Sequence, residues 1–166
     1  MPRFHSFRLE LATAAVVVLL DQVTKMLVRD ALALYESIDV VPGVLSLTRV
    51  HNTGAAFGML NTADFALKPV LLALVALAAL GGILWYASQL PREDRLARLG
   101  MAGIVGGAVG NLIDRTLYGY VLDYVDAYWQ GWHFWAFNVA DAAITVGVGF
   151  IIADMIGLGR RASNPV

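Results

Sequence analysis

Cysteine is missing from this chain of 166 residues. That absence excludes disulfides, Cys-ligated metals and thiol nucleophiles together. Charge is also scarce: Asp, Glu, Lys and Arg make up 15% of the chain, against 58% hydrophobic residues. Mean hydropathy is +0.65, and the apolar share exceeds the roughly 45–50% of ordinary soluble chains. The length fits one compact unit, and the composition places it in a membrane. A net charge of −1 implies no nucleic-acid partner. No internal repeat, low-complexity tract or second domain is visible, so residues 1–166 read as a single integral membrane domain.

What is present is a set of long apolar runs. A bilayer core of about 30 Å needs roughly 20 helical residues, and four stretches approach that, at about 9–29, 69–87, 96–114 and 138–158. The first resembles a signal-peptide core, but no small-residue cleavage site follows it, so it reads as a retained helix. The third carries Gly103, Gly106, Gly107 and Gly110, overlapping small-xxx-small pairs that let helix backbones approach closely. Residues 38–60 are too polar and broken to span. VVPGV marks a turn between extended runs, so a small β element is expected there. The fold class expected is thus an all-α bundle of four transmembrane helices, with a small extracytoplasmic β element and an outer interfacial loop.

Arginines orient the bundle. Arg3 and Arg8 precede the first run, Arg92, Arg95 and Arg98 lie between the second and third, and Arg160 and Arg161 follow the fourth. The segment between the first two runs has Arg49 and Lys68, whereas residues 117–137 have no Lys or Arg. The positive-inside rule therefore puts both termini in the cytoplasm. Trp129, Trp132 and Trp135 then fall on the outer face, as an interfacial aromatic belt would.

Ionisable residues inside membrane spans point to function by default. Asp21 and Lys25 share a helix face at i,i+4 and can neutralise each other or shape a site. Asn111, Asp114 and Arg115 cluster at the outer end of the third run, where Arg115 either ends a helix with Asp114 or holds an anionic or carbonyl group. Asn138 fits a helix N-cap, whereas Asp141, past the cap, is not explained by capping. Asp154 is expected to reach water near the cytoplasmic end, His5 to be cytoplasmic, and His51 and His133 to lie outside the membrane and take no part in catalysis. If the loop at 117–137 folds back, Asp123 approaches Asp141. Two carboxylates close together in low dielectric share a proton, which supplies the acid and base for peptide hydrolysis without a metal. By spacing alone such a pair equally binds cations or sits idle.

Signatures of other chemistries are missing. There is no D-T/S-G or GxGD aspartyl motif, and no GxSxG or HExxH for serine or zinc mechanisms. A magnesium-dependent lipid phosphotransferase using Asp123, Asp126 and Asp141 would want more basic residues than Arg49, Arg115 and His133. A proton-coupled carrier would want its acids at mid-membrane rather than at one interface.

Five motifs occur in order: DQVTK at 21–25, HNTGAAFG at 51–58, GGAVGNLIDR at 106–115, GYVLDYVDAYW at 119–129 and FNVADAAI at 137–144. Together they make the chain, from about residue 10 to 157, closely resemble the bacterial lipoprotein signal peptidase (signal peptidase II) family. The resemblance implies an inner-membrane aspartic endopeptidase that needs no cofactor or metal. Its substrate would be a prolipoprotein carrying a diacylglyceryl-modified cysteine, cut on the amino side of that cysteine. It maps the catalytic pair onto Asp123 and Asp141. Asp21, Lys25, Asn52, Gly54, Asn111, Asp114, Arg115 and Asn138 fall on positions that order the pocket and hold substrate. Asp126 is not a member of the pair, and the aromatic segment can cover the site.

Overall fold

A computed structural model describes residues 7–54, 65–91 and 93–158. Arg3, His5, Arg92, Arg160, Arg161 and the second half of the 51–58 motif lie outside the described residues. The elements in chain order are α1 Arg8–Ala31, β1 Ser37–Val41, β2 Leu45–Asn52, α2 Lys68–Gln89, α3 Arg95–Tyr118, β3 Val121–Trp129, β4 Trp132–His133 and α4 Val139–Met155.

The helices turn the usual amphipathic rule inside out. On α1 the buried residues are Asp21, Lys25 and Val28, an i, i+4, i+7 stripe, while Leu19, Leu20, Met26 and Leu27 are exposed. Such a helix presents its apolar side to lipid and its polar side to its neighbours. α1, α2 and α3 are each long and apolar enough to cross a membrane, and α4, with 17 residues, is shorter. α3 is the hub, with all five of its glycines buried against α1 or α4. α4 runs antiparallel to it, with Gly147 beside Gly100 and Ala140 beside Gly107.

One end of the bundle is capped by a four-stranded antiparallel sheet of order β1-β2-β3-β4. The expected turn forms at Val41–Val44, where Val44 N–H donates to Val41 O and Gly43 has φ +83°. Pro then Gly at the two central positions is the type II signature. A second tight turn joins β3 to β4 through Gln130 and Gly131, both at positive φ, as a type I′ hairpin requires.

Here the structure departs from the all-α expectation. Residues 117–137 are not one loop: α3 runs on to Tyr118, Gly119 at φ +78° ends it, and β3 follows at once. The aromatic and β-branched residues of this segment are strand formers. Their alternation is hidden because Val121, Leu122, Asp123 and Tyr124 are all buried, on both faces of the strand. Leu122 and Tyr124 pack with Val28 of α1 and with Leu32, which caps its end, in a small apolar core that fixes the sheet on the bundle. A second departure is Asp154, which is buried rather than solvated and whose Oδ1 has no hydrogen-bond partner among the described residues.

Candidate active site

Where the sheet meets the helix ends, β3 and α4 each bring in one aspartate. Asp123 pairs across the ladder with Val50 and is 4% exposed. The Asn52 amide donates to its Oδ2 at 3.0 Å and the Asn138 amide to its Oδ1 at 2.8 Å. Asp141 is in the first turn of α4, where Asn138 is the N-cap: Asp141 N–H donates to Asn138 Oδ1 at 2.9 Å, and Asn138 N–H to Asp141 Oδ2 at 3.3 Å. The two residues form a capping box. Asp141 thus has a capping role after all, correcting the view that nothing local accounts for it. Asn138 touches both carboxyl groups and joins the strand residue to the helix residue.

Beneath this pair lies a buried polar block. Lys25 Nζ reaches Asp21 Oδ2 at 2.8 Å, Asn111 Oδ1 at 2.9 Å and Asp114 Oδ2 at 3.1 Å, using all three ammonium donors. Arg29 adds a second cation on Asp114 at 3.0 Å. Two carboxylates and two cations cancel, which is how charge survives burial. The block also holds the chain on either side of the site. Asp114 Oδ2 accepts the N–H of Leu122 at 3.0 Å, and Asp21 Oδ1 accepts that of Ala140 at 3.0 Å. These are the residues immediately before Asp123 and Asp141. Asn111 completes the link, donating to Asp141 Oδ1 at 2.8 Å while accepting from Lys25 and, at 3.2 Å, from Asn138.

Arg115 follows Asp114 on α3 and donates to Asn111 O at 3.4 Å. Its guanidinium donates to Gly54 O at 3.1 Å and interacts electrostatically with Asp141, Asp123 and Asp114. The stretch from 121 to 141 lacks Lys and Arg, yet α1 and α3 supply Lys25 and Arg115 from outside it, so the pair is not free of cations. Burial is nevertheless the largest influence on Asp123 and the charge of Asp141 the next. Together they push its pKa up to about 7, against the opposing pull of the Asn52 and Asn138 amides and of Lys25.

All ten residues singled out from the sequence therefore gather at one end of the bundle. Sequence reasoning missed Gln22, whose amide donates to Asp21 at 3.0 Å and to Gly110 O at 3.2 Å, and Arg29. Arg29 falls four residues after Lys25 on the same face of α1, a spacing that could have flagged it. Asp126 belongs elsewhere. It is an odd number of residues from Asp123, hence on the other face of the strand. There it accepts from Ser46 Oγ at 3.3 Å and lies 2.8 Å from His133 Nδ1. His51 stacks on Tyr120 at 3.6 Å, and burial, Arg49 and Arg29 lower its pKa. Among the described residues no three His, Asp or Glu side chains cluster as metal ligands would.

Fold and site together define a helical membrane protein whose bundle end carries two carboxyl groups, those of Asp123 and Asp141, bridged by Asn138. The comparisons with known proteins narrow that class. Residues 13–157 match the family Signal peptidase (SPase) II, Peptidase_A8. The lipoprotein signal peptidase of Geobacter metallireducens is 45% identical over 159 residues, 96% of this chain and 97% of that one. That of Symbiobacterium thermophilum is 42% identical, over 93% and 99%. A solved bacterial membrane enzyme superimposes with a TM-score of 0.80 at 28% identity, covering 95% of this chain and 93% of that one. The chain belongs to the signal peptidase II family and is an aspartic peptidase of lipoprotein processing.

Proposed function

We propose that Asp123 and Asp141 are the catalytic dyad of an endopeptidase that releases the signal peptide from diacylglyceryl-modified prolipoproteins. Cleavage falls on the amino side of the lipidated cysteine. The observation that carries this reading is the pairing itself: a buried and a half-buried carboxyl group tied through Asn138, the buried one keeping its proton up to about pH 7. The ionised member takes a proton from the attacking water, while the neutral member donates to the carbonyl oxygen of the scissile bond. No covalent intermediate, metal or cofactor is required. Arg115 and the 52–54 turn hold the substrate backbone, and the buried block of Asp21, Lys25 and Asp114, with Asn111 and Asn138, keeps the two aspartates at a fixed separation.

The setting suits that substrate. α1, α2, α3 and α4 are read as four spans of a single domain in the bacterial inner membrane, with both termini cytoplasmic and the sheet on the extracytoplasmic side. Arg8, Arg95 and Arg98 are at the end of the bundle away from the sheet. Trp129, Trp132 and Trp135 are 63%, 67% and 61% exposed at the sheet end, where aromatic rings anchor at headgroups. A signal peptide is itself an apolar segment, so the bond after it emerges at this interface, next to the lipid on the cysteine. Membrane lipids and the prolipoprotein are the partners this reading needs.

The test is signal-peptide release from a diacylglyceryl-modified prolipoprotein by detergent-purified protein. Asp123→Asn and Asp141→Asn should each abolish release. Wild-type activity should survive EDTA, and unlipidated substrate should remain uncut. Substantial turnover by either variant would sink the dyad, and loss in EDTA would favour metal chemistry instead.

A further inference from the structure

α2 buries a single side chain along its whole length, and that side chain is charged. Lys68 opens the helix at 7% exposure, while the apolar residues that follow face outward. An ammonium is costly at this position for two reasons. Burial penalises the charge, and the helix start is the positive end of the backbone dipole. An apolar helix lying against α3 has no packing need for it. α2 is also the one helix that supplies none of the residues already placed in the site.

Lys68 reaches the site through the 52–54 turn. Its Nζ donates to Thr53 Oγ1 at 3.4 Å. The residues on either side of Thr53 both touch the machinery. Asn52 Oδ1 accepts the Gly54 N–H at 3.0 Å, closing an Asx turn. The amide of the same Asn52 donates to Asp123, and Gly54 O accepts from Arg115. A shift of Thr53 therefore moves a hydrogen bond on each side of the catalytic centre.

We propose that Lys68 is a positioning residue for the hydrolysis: by holding Thr53 it fixes the 52–54 turn, and with it the Asn52 amide on Asp123 and the Gly54 carbonyl on Arg115. This rests on the reading of Asp123 as a dyad member. The Asn52 hydrogen bond favours the ionised form of Asp123 and pulls its pKa down. Loosening the turn weakens that bond, so Asp123 holds its proton to higher pH. The alkaline limb of the pH profile, where the dyad loses its last proton, then moves upward.

The experiment measures kcat, KM and the pH profile of kcat/KM for lipidated prolipoprotein cleavage by full-length protein in detergent. Lys68→Met and Thr53→Val should each lower kcat about tenfold, as small misplacements in active sites do. KM should stay within about twofold, and the alkaline limb should move up by about half a pH unit. Lys68→Arg, which keeps the cation and a donor, should stay close to wild type. The double variant Lys68→Met/Thr53→Val should lose less than the two single losses combined, since the contact between the two residues is shared. Thr53→Val is the decisive arm. It keeps the ammonium, so a limb shift there cannot come from lost charge, and it carries the test if Lys68→Met does not fold. An unmoved limb in Thr53→Val, even with reduced kcat, or additive losses in the double variant, would overturn the proposal. An active Asp123→Asn would instead overturn the dyad beneath it. An inactive Asp123→Asn beside an unaltered Thr53→Val would overturn the role of Lys68 alone.

Discussion

The neutral form of Asp123 leaves a mark on stability. Folded, the group keeps its proton up to about 7; its ordinary value is 3.8. Between those values the folded protein binds a proton that the unfolded chain has lost, so stability falls as pH rises through the window and levels off above it. The whole shift corresponds to a few kcal/mol in order of magnitude. Thermal unfolding in detergent should show this decline between about pH 4 and pH 7, and Asp123→Asn should show a shallower one. An identical slope in the variant would mean that Asp123 ionises normally. Asp114 offers a contrast, because its charge is matched by Lys25 and Arg29 rather than suppressed. Asp114→Asn leaves two cations facing Asp21 alone. It should cost about 3–5 kcal/mol, the range for breaking a buried pair, read as lost thermal stability together with lost cleavage. The identities of these residues were legible in the five ordered motifs. Their roles as backbone anchors were not, because which N–H a buried carboxylate reaches, Leu122 for Asp114 and Ala140 for Asp21, is decided only when the elements pack.

The contact between α3 and α4 is set by what their glycines lack. A Cβ on Gly107 would run into Ala140 O and the Ile144 side chain, and one on Gly147 would meet Gly100 O and Ile104. Gly107 is one turn from Asn111 on α3 and faces the residue before Asp141, so forcing the helices apart there separates Asn111 from Asp141. Gly107→Val should lower stability by about 1–3 kcal/mol through overpacking and reduce cleavage more than its stability loss explains. Gly82→Ala on α2 is the control. Nothing lies within 4 Å of its Cβ position, so it should keep full activity and gain about 0.5–1 kcal/mol, as replacing a mid-helix glycine does. Equal losses in both variants would contradict the assigned packing. The glycine spacing announced a close helix contact in the sequence. It did not reveal that Gly106 meets Ala14 and Val17 of α1 while Gly107, next to it, meets α4. β3 was less legible still, since its aromatic residues answer equally well to a lipid interface and to a strand, and only pairing with β2 separates the two.

At the scale of the whole molecule, the order and bounds of the helices could be read from hydropathy, because lipid-facing helices must be apolar over a fixed length. The sheet could not, since β2 and β3 pair across about seventy intervening residues and nothing local specifies that register. The sidedness proposed for the bundle follows from both: the arginine-bearing helix ends lie away from the sheet, and the exposed tryptophans lie on it. The chain contains no cysteine, so single-cysteine labelling needs no background replacements. Tyr35 and Trp132 are exposed at the sheet end, Glu93 is exposed in the connection between α2 and α3, and Leu158 is exposed just beyond α4. In spheroplasts a membrane-impermeant maleimide should label Tyr35→Cys and Trp132→Cys at once, and Glu93→Cys only after permeabilisation. Leu158→Cys decides the number of crossings. α4 has 17 residues, about 25 Å of helix, less than the full hydrocarbon core of about 30 Å. Protection of Leu158→Cys until permeabilisation requires α4 to cross with its flanking turns. Labelling from outside, with Glu93→Cys still protected, would leave three spans and an outer C-terminal end, and the four-span topology would fall.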